Sequence, residues 1–385
     1  MALLPTAYSP FLVEAMVRLG ARLPFAQVAE EMALLFGVSV SADTVCRLTE
    51  QAGALQVAIE QRELERLEHE APPELDGPAR QQVSADGAMV PLVGGTWAEV
   101  RTIAIGTIVE REKQGEIGPH CTDLSYFSRR CSADQFIRHA TLPTYERGTR
   151  GAETVVTVMD GAPWLQELID EQCPGAVRIL DFPHAAGYLA QAAQATVGAG
   201  TTAASAWLDE WVPKLKNGPP EDVLAAIRCL PASDPAAVTV RRTAVRYLSA
   251  RLEQIRYATF CEQGYPIGSG IVESAGKLVV EARLKGSGMH WNPSSLNPIL
   301  ALRGRLCSGQ WAQIWPAISR AWRAHVMQRR EERRDIRRAQ QAAERALRPA
   351  PTAPPSPKPQ RPKMMVDGRP THAHPWKQRP DKSAA

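Results

Sequence analysis

The chain has no run of the roughly 18 apolar residues that a membrane-spanning helix needs, so an integral helical membrane protein is not expected. Its seven cysteines, from Cys46 to Cys307, form no CxxC pair and no Cys/His cluster at zinc-ligand spacing. They read as reduced, individually buried thiols, not as a disulfide framework or a zinc site. The first residues, MALLPTAYSP, lack the basic and apolar regions of a secretory signal. A cytoplasmic protein is therefore expected. No internal repeat is present, which excludes a solenoid. The net charge is only +4, but it is unevenly spread. Arginine dominates from Trp322 to Arg348, with RREERRDIRR inside that stretch. Such a stretch is either a solvated helix of Glu/Arg pairs or a surface for a polyanion.

What is present suits a large soluble fold. The 385 residues are 44 % hydrophobic and 22 % charged, enough for two or three domains with a sizeable core. From Pro24 to Phe36 apolar residues recur at helical spacing, and Gly37 ends the pattern. Ser41 is placed to cap a second helix beginning at Ala42. Helix, short turn and capped helix form a helix-turn-helix pattern, although a plain helical hairpin would look the same. In the first reading Thr44, Arg47 and Gln51 face outward, where they can reach phosphates and base edges. A charged helix continues to Glu70, and APPELDGP is a linker.

Strand patterns follow. The segment VSADGAMVPL carries Asp86, Gly94-Gly95 signals a hairpin, and WAEVRTIAIGTIV is a second strand. Residues 121–131 form a third, and a helix spans 133–145. TVVTVMDG and AVRILDFPH are two buried strands, each ending in an acid, Asp160 and Asp181, and each leading into a helix. Three antiparallel strands, a helix, then two strands alternating with helices predict a mixed α/β fold. That order matches the ribonuclease-H-like arrangement, in which the first and fourth strands are central neighbours and their acids can meet. Residues 185–263 read as helical, with their tryptophans as core rather than as a platform for bases. The segment YPIGSGIVESAGK then opens a helix with one apolar stripe, Ser269 as its expected cap and Glu273 in its first turn. A first-turn acid can be simply a solvated one. Beyond residue 349 the chain is Pro-rich, basic and poor in aliphatic residues, and is expected to be disordered.

Asp86, Asp160 and Glu273 together form a candidate carboxylate trio. Three converging carboxylates repel unless cations neutralise them, and an all-oxygen set suits Mg²⁺ or Mn²⁺. Two such ions about 3.5–4 Å apart can activate water or a 3′-hydroxyl and stabilise a leaving oxygen. The stretches VSADGAMVPLVGGTWAEVRTIAIG, VVTVMDGAPWLQ, RILDFPHAAGYL and YPIGSGIVESAGKLVVEARLKGSGMHW resemble transposases of bacterial insertion sequences. More narrowly, they resemble the Kra-type group of the DDE (Asp-Asp-Glu) class, over about Leu12 to Trp311.

The resemblance implies a ribonuclease-H-like catalytic core and metal-dependent strand cleavage and strand transfer at element ends. It implies two Mg²⁺ (or Mn²⁺) ions held by Asp86, Asp160 and Glu273, double-stranded DNA as partner and a homo-oligomer on DNA in the nucleoid. Asp160 is preferred as the second acid, because the strand it ends lies beside that of Asp86. Asp181 and His184, similar to a motif that follows the second acid in related transposases, are then supporting groups or the alternative acid. Lys277, Arg283 and Lys285 are expected to contact DNA, and Met289-His290-Trp291 to pack against an unpaired base. Relatives often carry a cysteine-rich segment ahead of the helix-turn-helix, and this chain is expected to start after it, as a truncated copy or a short variant. Two other functions are weighed: an inactive DNA-binding remnant, and a nuclease of the same fold without strand transfer.

The expected organisation is a helix-turn-helix region at 1–70, a linker at 71–82, the first part of the core at 83–190 and an all-helical insertion at 191–264. The catalytic helix follows at 265–310, a basic helical region at 311–348 and the tail at 349–385.

Overall fold

The first three strands, β1 (Arg80–Pro91), β2 (Trp97–Lys113) and β3 (Glu116–Arg129), pair antiparallel, and β2 carries most of their β-branched residues. Gly94 and Gly95 supply the positive φ angles, 90° and 78°, that turn β1 into β2. The apolar runs β4 (Thr154–Met159) and β5 (Val177–Leu180) add in parallel on the other side, giving the strand order β3-β2-β1-β4-β5. The fold is therefore mixed α/β. The strand boundaries fall close to those expected, with Asp160 and Asp181 each one residue past a strand end.

The computed structural model describes residues 8–113, 116–231 and 234–347, with a short strand pair at Met365–Val366 and Arg369–Pro370. The expected disordered tail at 349–385 otherwise lies outside the described residues. Met1–Val326 forms one compact unit and Met327–Ala385 another.

Side-chain parity sends the sheet's two faces to different partners. On one face Val83, Ala85, Ile103 and Ile105 pack against α4 (Ala133–Glu146) and α5 (Pro163–Gln172) through Phe136, Leu165 and Leu168. On the other, Val156 and Val158 pack against α6 (Phe182–Val197) and the helices that follow it. Those are α7 (Thr202–Asn217), α8 (Pro220–Cys229), α9 (Pro235–Ser249) and α10 (Tyr257–Glu262), joined by short turns. Trp207 and Trp211 stack at 6.0 Å and pack on this core, as expected of structural tryptophans.

On the same face, Val90, Val100 and Ala104 meet Val272, Ala275, Val279 and Leu284 of a later helix. That helix is α11 (Gly270–Ala275), a π-helical stretch over Gly276–Glu281, and α12 (Ala282–Leu284). The wide turn has an identifiable cause. Arg303, in α13 (Pro293–Cys307), donates to the carbonyls of Val279 (2.6 Å) and Leu278, and to Ala21 O (2.7 Å). A side chain inserted into the helix ladder takes carbonyls that an α-helix would use internally.

The N-terminal helices are α1 (Pro10–Gly20), α2 (Phe25–Phe36) and α3 (Ala42–Glu70). Ser41 caps α3 as expected, its Oγ accepting from Thr44 N at 3.2 Å, and the helix runs unbroken for 29 residues. These helices share an apolar core with Leu302 and Leu306 of α13 and with Trp311, Trp315 and Trp322 of α14 (Trp311–Leu347). Gly53 of α3 is essential to that contact: a Cβ there would stand 2.2 Å from Pro298 O. A buried ion network, Arg129–Glu60–Arg305–Glu146, also ties α3 to β3, α13 and α4.

Candidate active site

Strand pairing brings two of the expected acids together. β1 and β4 pair in parallel with Val83 opposite Thr157. Beyond that pair both strands run on toward their acids, Asp86 three residues past Val83 and Asp160 three residues past Thr157, and the Asp160 charge acts on Asp86. Parity puts both on the face that carries α6 and α11, since Val83 and Ala85 occupy the opposite face and Val156 and Val158 this one. Thr102, opposite Asp86 on β2, shares a face with Val100 and Ala104, against which α11 packs. Glu273 lies in the first turn of α11 and is exposed. Asp86, Asp160 and Glu273 thus sit at one end of one sheet face.

Their electrostatics agree with this placement. The Asp86 carboxyl is pushed above the usual carboxylate range, first by desolvation and then by the charges of Asp160, Glu273 and Asp181, against the opposing hydrogen bond from Gly87 N. That bond is 2.7 Å, and Asp160 Oδ1 likewise accepts from Ala162 N at 2.9 Å. A carboxyl whose folded pKa is raised contributes stability that is present at low pH and lost as pH rises through the folded value. Asp86→Asn is therefore expected to raise the melting temperature at neutral pH, with the gain vanishing below about pH 4, where the wild-type acid is protonated. Thermal unfolding of both proteins across pH checks this, and equal melting curves at neutral pH would refute the crowding of charge at Asp86.

Asp181 plays a different part. It is 6 % exposed, and both its oxygens accept backbone hydrogen bonds. Oδ2 accepts from His184 N (3.1 Å), capping α6, and Oδ1 accepts from Ser269 N (2.8 Å). Phe182 N donates to Ile267 O (2.9 Å), and Gln82 of β1 donates to Gly268 O (3.3 Å). Together these latches fasten the turn before α11 to the sheet and so deliver Glu273. Ser269 holds the N-cap position but is not the side-chain cap expected: its ψ of 18° is not the extended conformation of a capping residue, and its N–H donates to Asp181. The ring of His184 stands against Tyr188 and Tyr247, at 5.5 and 5.8 Å.

The expected DNA contacts divide. Lys277 is exposed, four residues past Glu273. Lys285 is half-buried and pairs with Glu281 at 2.9 Å. Arg283 is a correction. It is 2 % exposed, donates to Gly20 O at 3.1 Å, and lies over the rings of Phe25 and Trp291 at 4.6 and 4.8 Å. Burial pushes its guanidinium down to about 10. The apolar stripe that buries Leu284 turns Arg283 inward with it, so it holds α12 against the N-terminal helices and is not placed to meet DNA. Trp291 is corrected likewise: it is 7 % exposed, its Nε1 donates to Leu284 O, and it cannot receive an unpaired base. Along α3 Arg47 and Gln51 are exposed, whereas Thr44 is half-buried with its hydroxyl 3.0 Å from Ser41 Oγ.

Among the described residues, no three His, Cys, Asp or Glu side chains stand close enough to hold one metal ion. The acids themselves offer oxygen donors only, and the charges of Asp160 and Glu273 act on Asp86, a donor set of the kind a hard divalent cation takes. All seven cysteines are free, but the expectation that each is buried fails: Cys173 is buried, whereas Cys229 and Cys261, on the outer helices, are exposed. No described helix is long and apolar enough to cross a membrane.

Two residues beside the site were not anticipated, Tyr247 and Arg251. Tyr247 OH accepts from Gly161 N at 2.9 Å, and Arg251 Nη2 donates to Gly161 O at 2.7 Å. They lie some 90 positions along the chain from their partner, and helical periodicity says nothing of such a contact. The one available signal was the glycine after Asp160, a residue that often marks a close approach. No protein-family model matches the chain, and no curated protein matches it.

Proposed function

We propose that the chain is a DDE-class DNA transposase, cutting DNA at the ends of an insertion element and joining those ends to a target. The observation that carries this reading is the juxtaposition of Asp86, Asp160 and the Glu273 helix at one end of one sheet face, with the charges of Asp160 and Glu273 acting on Asp86. The strand order β3-β2-β1-β4-β5, antiparallel then parallel, supports a ribonuclease-H-like core. The resemblance of the segments around the three acids points the same way.

In the reaction a water oxygen attacks phosphorus and the P–O3′ bond breaks, leaving a 3′-hydroxyl and a 5′-phosphate. That 3′-hydroxyl then attacks a target phosphodiester, forming one P–O bond as another breaks. Two Mg²⁺ or Mn²⁺ ions, when bound, supply the positive charge that activates the attacking oxygen and stabilises the leaving one. Asp86, Asp160 and Glu273 would hold them. Asp181 keeps the turn before α11 seated, and Lys277 offers a cation to a phosphate beside the acids. Arg47 and Gln51 present polar side chains for double-stranded DNA away from the site. Assembly as a homo-oligomer on DNA and residence in the nucleoid belong to the same reading.

The test is cleavage of linear DNA carrying the element ends, in Mg²⁺ or in EDTA, by wild type, Asp86→Asn and Glu273→Gln. Wild type is expected to cut only with metal. Each variant should lose more than about 100-fold in rate, the scale of removing one preorganised charge-stabilising group. Cleavage that survives EDTA or both substitutions would end this reading. A pre-cut 3′-OH end offered with a target plasmid tests joining, and cutting without joining would identify a nuclease of the same fold.

A further inference from the structure

We infer that Tyr247 and Arg251, carried by the helical insertion, are positioning residues that set the orientation of the Asp160 carboxylate. This rests on the proposed role of Asp160 as second acid.

The contacts are unusually complete for one glycine. The N–H of Gly161 donates to the Tyr247 hydroxyl at 2.9 Å. The carbonyl of Gly161 accepts from Arg251 Nη2 at 2.7 Å. The next N–H of that same peptide unit, Ala162 N, donates to Asp160 Oδ1 at 2.9 Å. Arg251, one peptide group and the Asp160 carboxylate are therefore hydrogen-bonded in series. Each bond in such a chain polarises the next. A tilt of the peptide would carry the carboxylate with it.

Both clamping side chains are themselves held. The Arg251 guanidinium lies 3.9 Å from the Tyr247 ring centroid, and its Nη1 donates to Tyr247 O at 3.1 Å. Tyr247 stacks on Tyr188 of α6 at 4.1 Å with 17° between the rings, and His184 closes the cluster. Tyr188 and His184 lie on the helix capped by Asp181, so the clamp and the latch on the Glu273 turn share a support. Gly161 leaves no room for a side chain: a Cβ would stand 2.2 Å from Arg251 Nε and 2.3 Å from the Tyr247 hydroxyl. The absence of a side chain at this position is what lets the insertion grip the backbone.

A purely packing role for Tyr247 would survive loss of its hydroxyl, because the stacked ring remains in phenylalanine. A positioning role would not. Tyr247→Phe is expected to stay folded, with a somewhat lower melting temperature because the buried Gly161 N–H loses its acceptor, and to keep its KM for DNA but lower kcat about 10- to 100-fold, the scale of a small misplacement at a reacting centre. Independently of activity, hydrogen exchange at the Gly161 amide should quicken, since its acceptor is gone. Arg251→Lys, which keeps a donor, should retain more kcat than Arg251→Met. The inference is overturned if Tyr247→Phe keeps full kcat, if only KM changes, or if Gly161 exchange is unaltered. A wild-type protein without metal-dependent cleavage overturns the enzyme reading itself. Active wild type with fully active Tyr247→Phe overturns the positioning role alone.

Discussion

Glu60→Ala will destabilise the protein by about 3–5 kcal/mol, the cost of leaving a buried charge without its partner. Glu60 is 5 % exposed and faces two arginines. Arg129, 4 % exposed, contacts its Oε2, and Arg305 Nε donates to its Oε1 at 3.0 Å. Gln56 adds a third donor at 2.9 Å. Arg305 has a second carboxylate in Glu146, at 2.6 and 2.8 Å, whereas among the described residues Arg129 donates otherwise to the carbonyl of Ser128. Removing Glu60 therefore strands Arg129 in a site that water does not reach. Urea unfolding is the measurement, with the midpoint expected to fall while the slope stays unchanged. Replacing the Glu60–Arg129 pair by Leu and Met should recover much of the loss, because apolar groups need no counter-charge. A midpoint within experimental error of wild type for Glu60→Ala would show that the network carries no net energy. By comparison, Glu68, whose partner Arg138 is exposed, should matter little, since water solvates both charges when the pair is broken.

Asp160→Asn and Asp181→Asn are expected to separate chemistry from scaffold. Asp160 is half-buried, its charge acts on Asp86, and it gives one carboxylate oxygen to a local turn. Asparagine can keep that turn through its amide oxygen, so the fold should be indifferent while cleavage falls below detection. Asp181 gives both oxygens to backbone N–H groups 88 and three positions away. Asparagine has only one acceptor, so either Ser269 N or His184 N would face an NH₂ group. A buried donor left unsatisfied costs about 1–3 kcal/mol. Asp181→Asn should therefore lower the melting temperature and loosen the turn before Glu273, yet leave measurable cleavage. Melting curves and cleavage rates on the same preparations decide the matter. If Asp181→Asn abolishes cleavage at unchanged stability while Asp160→Asn remains active, the second acid is Asp181.

The division between these two acids shows how far local patterns reach. Both stand one residue past an apolar run and both precede a helix, so periodicity treats them alike. The strands themselves were legible because side-chain alternation and the Gly94-Gly95 turn are local. The capped start of α3 at Ser41 was legible for the same reason. The helical reading of residues 185–263 followed from spacing, and its tryptophans do pack inward.

Strand order pointed to β1 and β4 as neighbours, and the sheet has them so; their register, with Val83 opposite Thr157, is a property of the sheet alone. Arg283 had the composition of a surface cation, and only the docking of α12 on the N-terminal helices turned it inward between Phe25 and Trp291. Ser269 had the identity of a cap, but its backbone is not extended there and its N–H goes to Asp181, 88 positions away. The π turn at Gly276–Glu281 came from Arg303 on another helix. The clamp on Gly161 came from an insertion whose own sequence gives no hint of it. Hydrophobic period, capping and turn chemistry are encoded within about ten residues, so the sequence by itself determined the elements and offered the candidate acids. Burial and long-range hydrogen bonding depend on which elements meet, so only the tertiary structure decided which charged residues face the site and which hold it in place.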